Sequence, residues 1–234
     1  MPRRRRWGLA GAGVAWALLA CGAAAQPGGS PATGAKPGAA RAAKSAAPPA
    51  ATAASAAAAS ATAYAQRFAS LCAACHGANG RSDLPGTPSL AGQHGFYAIT
   101  QLFLFREGRR QNEAMTAVAK GMSDADLRAF SELIAKLPAP PGTAASDAAR
   151  SARGAALAQR FRCASCHGAD YAGGQQVARL AGQREDYLNK ALAEFRAGTR
   201  VGYTSAMSEA LAGIQGDELG DLAHYLANFG APPR

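Results

Sequence analysis

CAACH at residues 72–76 and CASCH at residues 163–167 are two copies of one pentapeptide pattern, Cys-x-x-Cys-His. Two thiols one helical turn apart can add to the two vinyl groups of a haem, and the adjacent imidazole then lies under the ring as an axial iron ligand. A zinc half-site would need more ligands clustered nearby, and a redox dithiol usually begins a helix in a βαβ unit. Neither alternative accounts for two copies, so the pattern predicts two covalently bound c-type haems. Each would be held by two cysteines and one histidine: Cys72, Cys75 and His76, then Cys163, Cys166 and His167.

The sequences that follow the two pentapeptides can be aligned with each other, which divides the chain into two halves. LAGQ at 90–93 recurs at 180–183, and Tyr97 matches Tyr187 at the same offset of 90 residues. An internal duplication explains these matches. The proline-rich sequence between the halves cannot continue a helix, so it separates the two domains. The predicted boundaries are a first domain at 62–138, a linker at 139–146 and a second domain at 147–234.

Each half is predicted to be helical. A helix leads into the pentapeptide, a second helix follows a glycine-rich loop, and a closing helix carries acidic residues in its first turn, which suits a helix N-terminus. No segment alternates long enough to predict a sheet. The predicted helices form pairs: 64–72 and 149–162, 96–106 and 184–197, and two that begin after Ser123 and Gly216. The fold class is therefore all-α, with a buried haem supplying much of each small core.

The sixth iron ligand is predicted to be a methionine in each half. Met115 and Met207 lie 39 and 40 residues after the pentapeptide histidines. A lone methionine is more often core filler, but these two occupy matching positions, whereas Met122 has Ile214 as its counterpart. A His/Met pair fills both axial positions and raises the reduction potential, which favours outer-sphere electron transfer over substrate chemistry.

The remaining histidines and several arginines have less specific interpretations. His94 aligns with Arg184 and His224 aligns with Glu132, so the sequence predicts surface residues at both histidines. A guanidinium suits the carboxylates of haem propionates, and a solvated face is the alternative interpretation. The arginines concerned are Arg106, Arg109, Arg110, Arg196 and Arg200.

The first residues have the layout of a bacterial secretory signal, predicted at 1–25. A run of arginines precedes an apolar stretch, and small residues then offer a cleavage site before Gln26. Cys21 follows a Leu-Leu-Ala sequence as in a lipobox, so a lipidated N-terminus at Cys21 stays open. A retained membrane anchor is less favoured because the stretch is only weakly hydrophobic. Every variant places the folded part in the bacterial periplasm, and the lipidated variant tethers it to a membrane.

Residues 26–61 are predicted to be a disordered tether, because Ala, Pro, Gly, Ser and Thr cannot build a core. Residues 50–63 could be partly helical, since alanine is the best helix former. The formal charge of the whole chain is +10, but residues 1–61 hold seven basic and no acidic side chains, which leaves 18 basic against 15 acidic residues. The folded part is therefore close to neutral with four propionates, and no nucleic-acid partner is predicted.

The folded part resembles the cytochrome c4 family. The resemblance rests on Cys-x-x-Cys-His-Gly, LAGQ, the following tyrosine, the Phe-Arg-x-Gly segments at 105–108 and 195–198, and the late methionine in both halves. It implies two tandem class I cytochrome c domains, related by a pseudo-twofold, with haems close enough to exchange electrons. In class I cytochromes c, a proline carbonyl after the pentapeptide accepts a hydrogen bond from the ligand histidine. Pro88 matches this position, whereas the second half has Ala178, so the second haem is predicted to be held less rigidly.

The sequence thus predicts a periplasmic dihaem electron carrier that is not an enzyme. The family resemblance implies a cytochrome reductase or a dehydrogenase as the electron donor and a terminal oxidase as the acceptor. One alternative is an electron-accepting subunit of a periplasmic dehydrogenase. Another is a dihaem enzyme acting on a small sulfur anion or a peroxide. It is less favoured because the haems use all four cysteines of the folded region.

Overall fold

The computed structural model of the protein describes residues 50–142, 147–200 and 205–230. The predicted signal at 1–25, including Cys21, and part of the predicted linker at 143–146 lie outside the described residues. Within the described residues the structure has helices and one isolated bridge, between Gly174 and Val177, but no extended strand. The all-α prediction is therefore confirmed.

Ten helices lie in the described residues, five in each half. Those of the first half are α1 Ala50–Leu71, α2 Ala73–His76, α3 Gly95–Arg106, α4 Glu113–Ala119 and α5 Asp124–Lys136. Those of the second half are α6 Ala148–Arg160, α7 Ala164–His167, α8 Glu185–Arg196, α9 Ala206–Leu211 and α10 Glu218–Asn228. The three longer helices of each half match the predictions to within a few residues at most ends. The short helices were not predicted, because one or two turns are too few to show a hydrophobic period.

Helix α1 begins earlier than the sequence analysis predicted. The predicted tether covers 26–61, but the chain is helical from Ala50 onward. The sequence analysis allowed partial helix at 50–63 within the tether, and the structure is helical there because alanine is the best helix former. The rest of the predicted tether, 26–49, lies outside the described residues.

Helices α1 and α5 are joined at the beginning of α5. Ser123 caps α5 and forms a capping box with Asp126, in which each side chain bonds the other residue's backbone N–H. Tyr64 and Arg67 of α1 both donate to the Asp126 carboxylate. The rings of Tyr64 and Phe130 meet edge to face with centroids 5.3 Å apart. The Asp126 carboxylate therefore accepts from a backbone N–H at the start of α5 and also holds α1 against α5.

Helices α6 and α10 make the equivalent pair in the second half, and they cross very closely. A Cβ added to Gly154 of α6 would lie 2.2 Å from the Asp221 backbone oxygen and 2.5 Å from the Tyr225 Cβ. Below this crossing lies a core of buried leucines, with Leu222 and Leu226 almost fully enclosed. The absence of a side chain at Gly154 is what allows the two helices to approach.

The described parts of both halves belong to one compact unit. The linker passes over the two LAGQ turns, whose glycines both have positive φ angles. A Cβ on Gly92 would lie 2.6 Å from the Ala139 Cβ, and one on Gly182 would lie 2.7 Å from the Pro140 oxygen. Glycine is required at these two turns both by the left-handed backbone and by the linker pressed against it.

Candidate functional site

Each pentapeptide forms a single helical turn that buries its histidine. Helices α2 and α7 end at His76 and His167, whose exposed fractions are 5% and 8%. His76 Nδ1 lies 2.8 Å from the Pro88 carbonyl oxygen, and His167 Nδ1 lies 2.9 Å from the Ala178 carbonyl oxygen. The two halves therefore place their histidines in the same way, and Ala178 serves as well as proline for the acceptor atom.

These bonds fix the protonation of both imidazoles. A carbonyl oxygen can only accept, so each Nδ1 carries the proton and each Nε2 keeps a free lone pair. Burial lowers the pKa of both histidines, although the bonds to Pro88 and Ala178 act in the opposite direction. A neutral imidazole with Nδ1 held by the backbone is the form that binds a metal through Nε2.

The first cysteine of each pentapeptide is not tuned as a redox nucleophile. Burial raises the pKa of Cys72 to about 11, against a small lowering by Arg67, and burial also raises the pKa of Cys163. Reactive dithiols have a lowered pKa instead. In the described part of the chain there is also no cluster of three His, Cys, Asp or Glu residues that could hold a metal ion. The geometry thus supports neither the dithiol nor the zinc interpretation.

A largely apolar cleft in the first half brings the predicted haem residues together. Cys72, Cys75, His76, Pro88 and Met115 all line it. Apolar side chains of α3, α4 and α5 form much of the remaining wall: Ala98, Leu102, Phe105, Ala114, Val118, Phe130 and Ile134. Two thiols, one neutral imidazole, a thioether and an apolar wall are a donor set that fits a haem c.

Met115 is held in the cleft by its own helix cap. Asn112 is the N-cap of α4, and its side chain accepts a 2.9 Å hydrogen bond from the Met115 backbone N–H. Met122 also borders the cleft, but it is a core residue that is 7% exposed. The cap therefore fixes the backbone of Met115, which the repeat pattern predicts to be the sixth iron ligand.

The second half arranges the matching residues around its own core. Cys163 and Met207 both pack against the buried cluster of that half, as Cys72 and Met115 do in the first. Helix α9 carries Met207 and has no side-chain cap at Ser205. Instead, the Ser208 hydroxyl donates to the Phe195 carbonyl oxygen over 2.8 Å and ties α9 to α8.

Helix α8 of the second half also contributes to the cleft of the first half, through Tyr187. Arg110 and Arg200, one from each half, donate to the Tyr187 hydroxyl over 2.9 and 3.1 Å. Burial would raise the pKa of Tyr187, but the charges of Arg110 and Arg200 outweigh this and lower it. Arg200 also pairs at 2.9 Å with Glu194, which lines the same cleft and partly neutralises its charge.

The five arginines singled out in the sequence therefore separate into three groups. Arg110 and Arg200 line the cleft. Arg106 instead pairs with Glu107 and Asp124, at 2.9 and 2.8 Å. Arg109 and Arg196 are exposed.

The prediction of surface histidines is wrong for His224 and inexact for His94. His224 is 2% exposed, and its Nδ1 lies 2.8 Å from a Glu185 carboxylate oxygen. His94 is half-buried, and its Nε2 lies 2.9 Å from the Ala172 carbonyl oxygen in the other half. Both histidines find polar partners in neighbouring elements, which alignment of the two halves could not show.

Sequence reasoning also missed the residues that cross between the halves. Besides Tyr187, the LAGQ glutamines Gln93 and Gln183 line the cleft of the first half. Recurrence at an offset of 90 residues was their only signal, and it served to align the halves without indicating a contact between them.

Several known proteins are similar to this chain in sequence or in structure. A family model described as cytochrome c matches residues 61–138 and 151–229. The chain is 34% identical to a cytochrome c4 of Thiocapsa roseopersicina, over 67% of this chain and 85% of that protein. It is 36% identical to a thiosulfate dehydrogenase electron acceptor of Stutzerimonas stutzeri strain A1501, over 69% and 80%. The crystal structure of reduced recombinant cytochrome c4 from Pseudomonas stutzeri matches with a TM-score of 0.66 and 29% identity, over 72% of this chain and 98% of that one.

Proposed function

The chain belongs to the cytochrome c family, as a protein of the cytochrome c4 kind with two covalent haem c groups, and from that premise we propose that it relays single electrons between periplasmic redox partners through two His/Met-ligated haems. When bound, each haem supplies a one-electron iron couple. The residues of this chain attach it, hold its axial ligands and exclude water around it.

We assign the attachment and ligation to the residues of the two pentapeptides and the two repeated methionines. The covalent bonds go to Cys72, Cys75, Cys163 and Cys166, and the axial ligands are His76, Met115, His167 and Met207. The observation that carries this assignment is the pair of neutral histidines with Nδ1 bonded to a backbone carbonyl. Each leaves Nε2 free for iron in a buried position.

The His/Met assignment can be tested by absorption and electron paramagnetic resonance spectroscopy of the oxidised holoprotein. We expect two low-spin haems, each with a sulfur-to-iron charge-transfer band, because a thioether fills the sixth position in both halves. A high-spin haem in the resting protein would contradict the assignment and would favour an enzyme with a substrate-accessible iron.

We assign the propionates of the first haem to the arginines that line the cleft. These are Arg110 and Arg200, and guanidinium groups bind carboxylates with two parallel hydrogen bonds. Both are positioned by the Tyr187 hydroxyl, and Arg200 also pairs with Glu194 at 2.9 Å. This supports the propionate interpretation of these two arginines and leaves the solvated interpretation for Arg109 and Arg196.

A second candidate function has a specific observation behind it. One similar protein is named a thiosulfate dehydrogenase electron acceptor, so a dehydrogenase is the alternative donor to a cytochrome reductase. Stopped-flow mixing of the oxidised protein with thiosulfate, with and without a thiosulfate dehydrogenase, distinguishes the possibilities. Reduction only with the dehydrogenase present supports the acceptor role. Reduction by thiosulfate alone would indicate that the protein itself is the enzyme.

The terminal oxidase is the proposed acceptor, and the periplasm is the proposed location. No helix in the described part of the chain is both long enough and apolar enough to cross a membrane. Intact mass spectrometry of the native protein tests the proposed processing, because it counts the covalent haems and identifies the first residue. A lipidated start at Cys21 would support a membrane tether, and a start at Gln26 would support a free protein.

A further inference from the structure

Two glutamines, one from each half, are exchanged across the contact between the halves. Gln93 of the first half donates from Nε2 to the Arg179 carbonyl oxygen over 2.8 Å and accepts at Oε1 from the Arg179 backbone N–H over 3.0 Å. Gln183 of the second half does the same to Ser89, with both distances at 2.8 Å. Each side-chain amide therefore occupies both backbone hydrogen-bonding groups of a single residue in the opposite half.

The residues held in this way lie next to the carbonyls that orient the histidines. Arg179 follows Ala178, whose carbonyl oxygen accepts from His167 Nδ1. The Ala178 carbonyl and the Arg179 N–H belong to one peptide unit, which is planar. When Gln93 fixes that N–H, it also fixes the direction of the carbonyl on the other side of the same plane.

The first half has the reciprocal arrangement. Ser89 follows Pro88, whose carbonyl oxygen accepts from His76 Nδ1. The Ser89 N–H is on the same peptide unit, and Gln183 accepts from it. Each glutamine thus acts on the histidine of the opposite half through one rigid peptide plane.

Water has little access to the bonds between Gln183 and Ser89 and partial access to those between Gln93 and Arg179. The exposed fractions of Gln93, Gln183 and Ser89 are 7%, 6% and 5%, and Arg179 is half-buried. A buried donor or acceptor that loses its partner keeps its full desolvation cost. Hydrogen bonds in such a chain also polarise one another, so the bond from the peptide N–H to glutamine strengthens the carbonyl as an acceptor for the histidine.

We propose that Gln93 and Gln183 are positioning residues, each of which fixes the axial histidine of the opposite half and thereby sets the reduction potential of that half's haem. This proposal rests on the proposed role of His76 and His167 as iron ligands. A strong acceptor at Nδ1 makes an imidazole a more basic ligand, which favours ferric iron. Loss of the glutamine weakens that acceptor, so the potential of the opposite haem rises.

The two effects are unequal because the two histidine loops differ at one residue. Pro88 restricts its own backbone through its ring, whereas Ala178 does not. The second loop therefore depends more on its partner, Gln93. This sharpens the sequence-based prediction that the second haem is held less rigidly, which itself stays a prediction.

The test uses the holoprotein and two variants, Gln93→Leu and Gln183→Leu, with potentiometric titration and NMR spectra that resolve the two haems. We expect Gln93→Leu to raise the potential of the second haem by more than that of the first, and Gln183→Leu to do the converse by a smaller amount. Both glutamines also line the cleft of the first half, so a small shift of the first haem is expected in both variants. We also expect imidazole to displace the sixth ligand of the second haem about tenfold more readily in Gln93→Leu. A variant that changes the haem of its own half more than the opposite one, both haems equally or neither would overturn the proposal.

Asp186→Ala is the matched control. It removes the bond between Asp186 and the Gly86 backbone N–H, which also joins the two halves, and neither residue belongs to the loop that carries Ala178. We expect the potential of the second haem to stay at its wild-type value in this variant. If Asp186→Ala raised the potential of the second haem as Gln93→Leu does, the glutamine would act only by holding the halves together.

Gln93→Glu covers the case in which the leucine variant fails to fold. At a pH low enough to protonate the new carboxyl group, it can accept from the Arg179 N–H and donate to the Arg179 carbonyl oxygen, so the second haem should keep a potential near that of the wild type at the same pH. A rise in potential in this variant would contradict the role of the N–H bond. The wild-type spectrum separates this outcome from failure of the proposed function: if the wild-type haems are not both His/Met, the ligand assignment itself is wrong.

Discussion

His76 and His167 take their orientation from backbone carbonyls, at 2.8 and 2.9 Å, and not from acidic side chains. A neutral carbonyl leaves the imidazole less basic than a carboxylate would. With the proposed methionine ligands, this would favour the reduced state of each haem. At the scale of single residues the proposed ligation therefore predicts partners of fairly high potential.

The methionine assignment makes a prediction at the same scale. Met115→Leu should abolish the charge-transfer band of the first haem and lower its reduction potential, because the thioether is lost from the sixth position. Visible spectroscopy and potentiometric titration measure both changes. Met122→Leu is the control, since it also borders the cleft but exchanges one core side chain for another of similar volume. Loss of the band in the control and not in Met115→Leu would reverse the assignment.

The residues that could be predicted from the sequence are those whose role depends on local spacing. The pentapeptides, the repeated methionines and Pro88 each lie at a fixed distance along the chain from the histidine they serve. Gln93, Tyr187 and His224 could not be assigned in this way, because their partners are 86, 77 and 39 residues away. A repeat pattern shows that such residues recur, but only the packing of the two halves shows what they contact.

At the scale of helices, each half closes its haem site by packing its first helix against its last. Both halves use a carboxylate, Asp126 in the first and Asp221 in the second, and the second half adds close approach at Gly154. The predictions of helix position were good because hydrophobic period and capping residues are local. The way each pair is held could not be predicted, since it depends on which residues meet across the pair.

The polar contact predicts how the stability of the first half depends on pH. The Arg67 guanidinium and the Ser123 backbone N–H hold the pKa of Asp126 well below its usual range. A carboxylate whose pKa is lower in the folded than in the unfolded protein stabilises the fold above about pH 4, and this stabilisation is lost as the pH falls further. Asp126→Asn should therefore lower the free energy of unfolding at pH 7 by about 1–2 kcal/mol and flatten its acid dependence.

Denaturant unfolding of the holoprotein between pH 7 and pH 3 measures this difference. Glu132→Gln is the control, because it neutralises an exposed carboxylate on the same helix. An equal pH dependence in wild type and Asp126→Asn would show that the carboxylate does not stabilise the fold.

The close approach of α6 and α10 predicts that a methyl group added at Gly154 is destabilising. Gly154→Ala should destabilise the second half by about 1–3 kcal/mol, because the new Cβ would lie 2.2 Å from the Asp221 oxygen and force α6 away from α10. Gly220→Ala on α10 is the control: its nearest neighbour would be an arginine nitrogen at 3.6 Å, and alanine is the better helix former. Thermal unfolding followed at the Soret band distinguishes them, and equal melting temperatures would contradict the packing argument.

At the scale of the whole molecule, several bonds join the halves besides the glutamines. Asp186 accepts from the Gly86 backbone N–H over 2.7 Å, and Arg184 donates to the Ser82 carbonyl oxygen over 2.9 Å. Arg184 and Asp186 also bond each other. These contacts all involve backbone groups of the loop that follows the first haem pentapeptide, so the second half shapes the haem site of the first.

Removing one of these contacts should lower the stability of the whole molecule. Asp186→Ala leaves the Gly86 N–H without its acceptor and removes the ion-pair partner of Arg184, and we expect the melting temperature to fall by about 2–4 °C. Lys190→Ala is the control on the same helix, since Lys190 forms only an exposed ion pair with Glu194 at 4.0 Å. Differential scanning calorimetry measures both variants, and a larger effect in the control would show that the contact between the halves does not limit stability.

The exchange of glutamines has a consequence for how this chain can change over generations. Gln93 touches the second half as Gln183 touches the first, which is the reciprocity of an isologous contact in a twofold homodimer. The duplicated chain is in this sense a homodimer made continuous by its linker. Substitutions around LAGQ in one half are therefore constrained by the other half, because each such change alters the hydrogen bonding around the histidine of the opposite half. Differences between the two haem sites are therefore expected at residues that lie away from the contact between the halves.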